Sequence, residues 1–368
     1  MNALKIGDLQ MKKKTIVLTG GGTAGHVSLN QAIIPTLEKQ SFEIHYIGSK
    51  DGIELELIRD AFPHIKYHAI SSGKLRRYAS VKNFTDPLRV AKGFLEALLI
   101  IKKVKPSVIF SKGGFVSVPV VMAGKLSGIP VVIHESDVTP GLANKLAMPF
   151  AHHIFSVFPE TLKHLPSDKS SCSGSIIRSE LFEGRKVVGL RLCGFSGLKP
   201  VLLIMGGSQG SAVVNEAIRS NLTNLLKLYD IIHLCGKGKV DETLQAVSGY
   251  KQFEYVTTEL PDLLHASNVI VSRAGSNSIF EFLALRKPML LIPLSKLQSR
   301  GDQLLNAKIF EKQGWASVLE EEEVTPTTFL ATLKDLSKRA DHMQLLMENS
   351  ELPKTPDEMV RLITSYAK

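Results

Sequence analysis

The arrangement of apolar and polar residues predicts a chain in which short strands alternate with helices. Short runs rich in Val, Ile and Leu are typical of strands in a parallel sheet, and several of the segments between them have helical length and period. In the first half, strands are predicted at residues 15–18, 43–47, 66–70, 107–110, 131–133 and 153–155. Helices are predicted at 24–39, 81–104 and 119–126. This alternation indicates the α/β class, with a doubly wound parallel sheet.

The same alternation restarts in the second half after an interruption. Residues 181–198 mix charges with four glycines, which indicates a linker. Further strands are predicted at 201–205, 230–234, 253–256, 269–272, 289–292 and 316–319. We therefore expect two Rossmann-like domains that face each other across a cleft, over residues 1–180 and 199–350. A further helix is predicted near 357–366, within the C-terminal segment 351–368. By its pattern it suits either domain, so packing back on the first domain is one of two alternatives.

Composition agrees with this picture and adds a net charge. The composition, 44% apolar and 22% charged, is typical of a globular protein. The length of 368 residues favours more than one domain. The net charge of +10 favours a partner that carries phosphates, whether nucleic acid, anionic lipid or a phosphorylated metabolite. Three widely spaced cysteines, no membrane-length apolar run and no signal-peptide pattern in residues 1–14 predict a reduced, cytoplasmic protein.

Glycine turns follow three of the predicted strands. They are Gly20-Gly21-Gly22, Gly113-Gly114 and Gly206-Gly207. In doubly wound sheets, ligands bind outside the carboxyl ends of the strands, so we expect these turns to line one crevice. A strand, a glycine turn and a helix together aim backbone N–H groups at an anion.

The first glycine turn has the spacing of a dinucleotide fingerprint, with Gly20, Gly22 and Gly25. The second predicted strand lacks the acidic residue that would bind a ribose, and Asp51 lies too far along, so the sequence disfavours a dehydrogenase. His26 falls in the first turn of the following helix, where the helix dipole disfavours a protonated imidazole. It is a candidate general base; the alternatives are a capping or packing histidine and a purely structural turn.

The second half contains a richer set of polar residues. Ser276, Asn277 and Ser278 begin a predicted helix, where their N–H and hydroxyl groups suit a diphosphate. Glu281 is placed to accept hydrogen bonds from a ribose diol, or else to act as a capping-box carboxylate. In the first half, His134 and Glu135 are not completed by a further cluster of ligands, so we expect no metal.

A basic, amphipathic stretch covers residues 74–105. Nine Lys and Arg residues are interleaved with Leu, Phe and Tyr, against two acidic residues. This pattern is typical of a surface that lies on a membrane, and the alternative is a helix that covers a sheet. Within it, 95–101 is apolar enough to be expected in the interior. The aromatic and basic interleaving of RNA-binding surfaces is sparse, so no nucleic acid is expected. The alternative from another class is a non-catalytic module that uses the basic face to bind a membrane or nucleic acid.

Taken together and in order, the motifs of residues 14–319 resemble the MurG family, the N-acetylglucosaminyltransferases that make lipid II in peptidoglycan synthesis. The motifs that carry the resemblance are Gly20–His26, Gly113–Ser117, His134-Glu135, Asn144-Lys145, Gly206–Gly210, Arg273-Ala274-Gly275 with Glu281, and Asp302-Gln303. The chain departs from the family at Ala24, where glycine is common, and at Ser136-Asp137, where Gln-Asn is common.

The resemblance implies a GT-B fold and an inverting transfer of GlcNAc. The donor is UDP-GlcNAc, and the acceptor is the C4 hydroxyl of MurNAc in undecaprenyl-diphospho-MurNAc-pentapeptide (lipid I). The implied base is His26. The implied donor-binding residues are Thr23, Ala24, Gly25, Asn144, Arg178, Ser208, Val256, Ser276, Asn277, Ser278, Glu281 and Gln303. The implied acceptor-binding residues are Gly21, Gly22, His26, Gly113, Gly114, Ser117 and Glu135.

No cofactor is implied, because N–H groups and a helix dipole meet the charge of the leaving UDP. The resemblance also implies a peripheral position on the cytoplasmic face of the cell membrane, on its anionic inner leaflet. Cell-wall and division machinery are the protein partners implied. Other UDP-sugar enzymes of the same fold remain as alternatives, namely a glycolipid glycosyltransferase or a UDP-GlcNAc 2-epimerase. An epimerase needs several acid and base side chains around the sugar, and His26 alone is too few.

Overall fold

Two parallel β-sheets, one in each half of the chain, form the framework of the structure. The computed structural model describes residues 14–73, 82–207, 209–295 and 301–368, without the side chains of 82–87. The first sheet has the order β3-β2-β1-β4-β5-β6-β7. Its strands are β1 (Thr15–Thr19), β2 (Glu43–Ser49), β3 (Lys66–Ile70), β4 (Val108–Ser111), β5 (Val131–Glu135), β6 (His153–Ser156) and β7 (Ser170–Cys172). We call the unit built on this sheet the first domain.

The second sheet has the order β11-β10-β9-β12-β13-β14, and the unit built on it is the second domain. A short strand, β8 (Ser175–Ile176), precedes it in the chain, and another, β15 (Pro353–Lys354), follows it. The strands of the second sheet are β9 (Val201–Met205), β10 (Asp230–Leu234), β11 (Tyr250–Phe253), β12 (Val269–Ser272), β13 (Met289–Leu291) and β14 (Ala316–Val318). Both sheets are parallel and wound outward from their first strands, which confirms the predicted α/β, doubly wound fold.

Helices connect the strands and cover the faces of both sheets. Local sequence sets several of their ends: Thr23 caps α1, and Thr325 and Thr355 form capping boxes at α12 and α13. The first domain contains α1 (Ala24–Lys39), α2 (Ile53–Ala61), α3 (Lys82–Val104), α4 (Ser117–Leu126) and α5 (Leu142–Ala147). The remaining helices are α6 (Lys186–Cys193), α7 (Ala212–Ser220), α8 (Leu222–Leu225), α9 (Leu260–Ala266), α10 (Ser276–Ala284), α11 (Asp302–Lys312), α12 (Pro326–Glu348) and α13 (Pro356–Thr364). In the part of the chain that the structure describes, no helix has the length and apolar character needed to cross a bilayer.

Helix α13 packs on the first domain. Its residues Met359, Val360 and Ile363 are fully buried in the apolar core beneath α1. The hydroxyl of Thr36, on α1, donates a hydrogen bond of 2.9 Å to the Asp357 carboxylate, near the start of α13. The chain therefore crosses from the second domain back to the first.

The two crossings of the chain between the domains are hydrogen-bonded to each other. Strands β8 and β15 pair in parallel, with Pro353 opposite Ser175 and Lys354 opposite Ile176. Gly174 precedes β8 with a φ of +71°, and a Cβ at this position would lie 2.1 Å from the Leu352 carbonyl oxygen. The close approach of the two crossings thus requires glycine at this position.

Two element predictions differ from the structure. The segment 181–198, expected as a linker, contains α6, which packs on α9 so tightly that a Cβ on Gly189 would lie 2.3 Å from the Asp262 carbonyl. The strand predicted at 253–256 lies three residues earlier, as β11. Tyr250 is buried and pairs with Ile231, whereas Tyr255 lies beyond the end of the strand and is 62% exposed.

Candidate active site

The carboxyl ends of the two sheets face each other, and hydrogen bonds cross the cleft between them. At the start of α10, the Ser276 hydroxyl donates to the Ser136 carbonyl at 2.7 Å, and Asn277 Nδ2 donates to the Ser28 hydroxyl at 3.0 Å. The Thr139 hydroxyl donates to the Asp302 carboxylate, at the start of α11, at 3.0 Å. The loops after β5 and β12 and the first turn of α1 therefore meet at one site.

The first two glycine turns pack directly on each other, as the strand order requires. The Gly21 N–H donates to the Gly113 carbonyl at 3.2 Å, and a Cβ on Gly114 would lie 2.2 Å from the Gly21 oxygen. The third turn, at Gly206-Gly207, follows β9 in the second sheet. Ser208, predicted to contact the nucleotide, lies outside the described residues.

The first glycine turn already holds a carboxylate of the protein itself. The side chain of Glu54, from the first turn of α2, accepts a hydrogen bond from the Gly22 N–H at 3.1 Å. The Gly21 N–H donates to the Gly113 carbonyl, so the N–H groups of Gly21 and Gly22 both have partners within the protein. The assignment of Gly21 and Gly22 to the acceptor diphosphate stays a prediction, because both N–H groups are already hydrogen-bonded within the protein. Glu54 was not predicted, because it lies in the first turn of α2 and not at the end of β2, where a ribose-binding acid is expected.

His26 lies in the first turn of α1 and is half-buried at the cleft. Its Nδ1 is 2.9 Å from the Gly21 carbonyl oxygen. Because a carbonyl can only accept, this nitrogen carries the proton, and in a neutral ring the lone pair lies on Nε2. The ring is therefore held in the tautomer in which Nε2 is the basic nitrogen.

The start of α10 carries the predicted donor-binding residues. Glu281, one turn further on, forms an ion pair with Arg178. Its Oε1 lies 3.2 Å from Nε and 3.1 Å from Nη2 of the arginine. Burial raises the pKa of Glu281, and the charge of Arg178 opposes this rise. The helix cap is Gly275, without a side-chain hydrogen bond. The alternatives in which Glu281 closes a capping box and Arg178 is an ordinary surface residue are therefore wrong.

Other predicted site residues make hydrogen bonds within their own loops. Glu135 accepts from the N–H groups of Asp137 and Gly141 at 2.9 and 3.0 Å, and from Asn144 Nδ2 at 2.9 Å. The buried Ser117 hydroxyl donates to the Gly114 carbonyl at 2.7 Å. Glu135 and Ser117 thus shape the loops around the cleft, and their contact with an acceptor stays a prediction.

The remaining donor-site predictions occupy both sides of the cleft. Gln303, at the start of α11, accepts a hydrogen bond from the Leu294 N–H at 3.0 Å through its Oε1. Val256 follows β11 and is half-buried. Thr23 and Ala24 are exposed where α1 begins. The carbonyl oxygen of Gly25 lies 3.5 Å from Asn277 Nδ2, which donates to it. Among the residues that the structure describes, no group of three or more His, Cys, Asp or Glu side chains is placed to hold a metal ion.

A buried charge cluster below the cleft was also missed by sequence analysis. Burial, Glu135 and Asp302 together raise the pKa of Asp137 to about 6, and the Lys112 ammonium opposes this rise. Lys112 is itself buried, which lowers its pKa, and its Nζ is hydrogen-bonded to the Ser136 hydroxyl. A lysine beside a glycine turn gave no sign of this burial, because the partners come from another strand.

A pocket opens between α1 and α10. Its polar lining includes Ser28, His134, Ser175, Arg178, Asn277 and Glu281. Burial holds the pKa of His134 well below its usual range, so its ring is neutral. The pocket places the ion pair of Arg178 and Glu281 beside the start of α10.

Comparison with known proteins identifies the family. The N-terminal domain of glycosyltransferase family 28 matches residues 16–156, and the C-terminal domain of that family matches residues 201–361. The chain belongs to glycosyltransferase family 28.

Relatives within family 28 match nearly the whole chain. A protein of Clostridium tetani is 54% identical over 96% of this chain and 98% of its own length. A protein of Geobacillus thermodenitrificans is 54% identical over 97% of this chain and 100% of its own length. Each is named UDP-N-acetylglucosamine--N-acetylmuramyl-(pentapeptide) pyrophosphoryl-undecaprenol N-acetylglucosamine transferase.

Solved structures show the same fold for this family 28 chain. The crystal structure of Acinetobacter baumannii MurG matches with a TM-score of 0.77 and 23% identity, over 96% of this chain and 99% of that one. The calicheamicin glycosyltransferase CalG4 matches with a TM-score of 0.68 and 12% identity, over 97% and 98%. The GT-B fold expected from the sequence is confirmed.

Proposed function

We propose that this chain transfers GlcNAc from UDP-GlcNAc to the C4 hydroxyl of MurNAc in lipid I, with inversion, and so forms lipid II. The observation that carries the proposal is the 54% identity, over almost the full length of both chains, to transferases named for this donor and acceptor. Family 28 membership and the GT-B fold agree with it.

On the donor side, the ion pair of Arg178 and Glu281 supports a nucleotide subsite in the second domain. Glu281 offers a carboxylate to the ribose hydroxyls, and Arg178 balances its charge while the subsite is empty. The start of α10 directs N–H groups towards the position of the diphosphate, which stabilises the negative charge that develops on the leaving UDP. Gln303 is proposed for the GlcNAc hydroxyls.

On the acceptor side, His26 supports proton removal from the attacking hydroxyl. The Gly21 carbonyl holds the proton of the ring on Nδ1, so Nε2 takes the proton as the C4 oxygen attacks the anomeric carbon of GlcNAc. The bond between that carbon and the UDP oxygen breaks on the opposite face, which inverts the configuration. A positioned general base contributes roughly 10²–10⁴-fold to such a rate.

The proposal is tested by incubating the protein with labelled UDP-GlcNAc and a lipid I analogue. We expect the label in a disaccharide lipid, with release of one UDP for each transfer. Absence of transfer to this analogue, together with transfer to another glycolipid, would contradict the acceptor assignment. Conversion of UDP-GlcNAc to its 2-epimer without an acceptor would contradict the reaction class.

We further propose that the outer face of α3 lies on the anionic inner leaflet of the membrane, where the acceptor is anchored. Leu88, Leu95 and Leu99 are 73%, 58% and 70% exposed, at spacings that place them on one helix face. We call these three residues the leucine stripe. The expectation that 95–101 is wholly interior is wrong, because only its other face is buried, through Ala97 and Ile101.

Exposed cations flank the leucine stripe at both ends. Arg89 and Lys92 lie near its start, and Lys102 and Lys103 lie one turn beyond Leu99. Each cation near an anionic bilayer contributes about 1 kcal/mol of attraction. The predicted basic residues 74–81 lie outside the described residues. Contact with cell-wall and division machinery stays a proposal without a surface assigned to it.

A further inference from the structure

Glu54 and His26 hold opposite ends of one peptide unit. The peptide between Gly21 and Gly22 has its carbonyl oxygen 2.9 Å from His26 Nδ1. The N–H of the same peptide donates to Glu54 Oε2 at 3.1 Å. Because a peptide is planar and stiff, the two hydrogen bonds fix each other's direction.

The Glu54 side chain is itself rigidly held. It is 1% exposed, and its Oε1 accepts from the N–H of Ser49 at 3.0 Å and from its hydroxyl at 2.6 Å. Burial opposes ionisation, but hydrogen bonds from Ser49 and Gly22 outweigh it and lower the pKa of Glu54. The group is therefore a carboxylate at neutral pH. A Cβ on Gly21 would lie 2.4 Å from the carboxyl carbon of Glu54, so the glycine turn packs directly against the carboxylate.

We propose that Glu54 is the positioning residue of His26 and acts through the peptide unit between Gly21 and Gly22. A carboxylate on the N–H makes the carbonyl at the other end a stronger acceptor, since hydrogen bonds in a chain polarise one another. The carbonyl then fixes the Nδ1–H tautomer and stabilises the imidazolium that forms when Nε2 takes a proton. This inference rests on the proposed role of His26 as the base.

Substitution of Glu54 by Gln separates the two functions of the carboxylate. Two donors face Oε1 and one faces Oε2, so the amide keeps its oxygen at Ser49 and turns its NH2 group against the Gly22 N–H. The bond to the peptide unit is lost while the bonds to Ser49 remain. We expect Glu54→Gln to lower kcat about three- to tenfold, with donor KM within about twofold. Glu56→Gln, an exposed acid in the same helical turn, is the matched control and should leave both constants unchanged.

A double-mutant cycle distinguishes positioning of His26 from general support of the loop. If Glu54 acts through His26, Glu54→Gln should change kcat by less than about twofold in the His26→Ala background. An equal loss of kcat in both backgrounds would overturn the inference while leaving the base assignment intact. Full kcat in His26→Ala would instead refute the base assignment, and with it the inference.

A measurement on the unaltered protein covers the case in which Glu54→Gln does not fold. Nitrogen-15 spectra of histidine-labelled protein, with His26 assigned by the His26→Asn variant, report which ring nitrogen carries the proton. We expect the neutral ring to carry it on Nδ1. A neutral ring protonated on Nε2 would overturn the inference.

Discussion

His26 combines three local features, each of which depends on the residues just before it. Thr23 caps the helix, Gly21 supplies the carbonyl that accepts from Nδ1, and the first turn of α1 directs the ring into the cleft. The proton on Nδ1 leaves Nε2 as the basic nitrogen, the atom proposed to act on the acceptor hydroxyl. The chemistry of the site therefore depends on a short segment of backbone.

Replacing His26 by Ala should lower kcat by at least about tenfold with little change in donor KM, because the base acts in the transition state and not in donor binding. The measurement is initial-rate kinetics with a lipid I analogue. His164→Ala, an exposed histidine of the same domain, is the control and should behave as the unaltered protein. An unchanged kcat in His26→Ala would assign proton removal to another group.

Asp137 makes stability depend on pH. In the unfolded chain its pKa is near 3.8, and folding raises it to about 6, through burial and then the charges of Glu135 and Asp302. Between these values the folded protein binds the proton more tightly, so its stability falls as pH rises through this window. Two pKa units correspond to at most about 3 kcal/mol.

Asp137→Asn removes this cost, so the variant should melt at a higher temperature than the unaltered protein at pH 7.5. At pH 4 the difference should nearly disappear, because the carboxyl is then protonated in the folded protein. Thermal melts at both values measure this, with Asp51→Asn, an exposed acid, as the control. A gain in melting temperature that is the same at both pH values would contradict the explanation.

At this scale the sequence identified residues within one motif and missed those from distant segments. His26, Asn277 and Glu281 were found because each lies just after a strand and a turn. Glu54 was missed because it reaches Gly22 only when α2 packs beside the turn. Arg178 and Glu281 were placed at the same subsite only by the family resemblance, since they lie about a hundred positions apart and no motif spacing predicts their ion pair.

Helix α3 shows what an apolar pattern can and cannot tell about one element. Its length and period predicted the helix itself. The same pattern did not tell which leucines are interior, because this helix is apolar both on its buried face and on its exposed face. Leu95 and Leu99 are exposed, whereas Ala97 and Ile101 between and beyond them are buried.

Substitution of Leu95 and Leu99 by Ser should weaken binding to vesicles that contain phosphatidylglycerol by at least about tenfold, because insertion of each leucine is worth about 1.5–3 kcal/mol at full burial. Cosedimentation with such vesicles measures the loss. Leu345→Ser is the matched control, since Leu345 is also 58% exposed but lies on α12 of the second domain. Equal binding by all three proteins would leave the leucine stripe without a membrane role.

The whole molecule is held together by the paired crossings at β8 and β15 and by hydrogen bonds across the cleft. Sequence patterns predicted two domains but not this connection, because strands of two residues have no detectable period. Helix α13 is amphipathic and suits either domain by pattern. Its position on α1 follows from tertiary contacts such as that between Thr36 and Asp357.

Gly174→Ala should destabilise the protein by more than about 2 kcal/mol, because a positive φ and a close backbone oxygen both oppose the added methyl group. Gly128→Ala is the matched control, since Gly128 has a similar φ of +68° but nothing within 4 Å of its added Cβ. Denaturant melts of both variants measure the difference. If both variants lost the same free energy of unfolding, the close contact between the two crossings would contribute nothing to stability.

The return of α13 to the first domain separates the order of synthesis from the order of folding. Met359, Val360 and Ile363 complete a core whose other members leave the ribosome before the second domain is made. Released chains that end before Pro356 should therefore contain a protease-resistant second domain and a protease-sensitive first one, which limited proteolysis measures. The half of the enzyme that is made first therefore obtains the last part of its core from the helix that is made last.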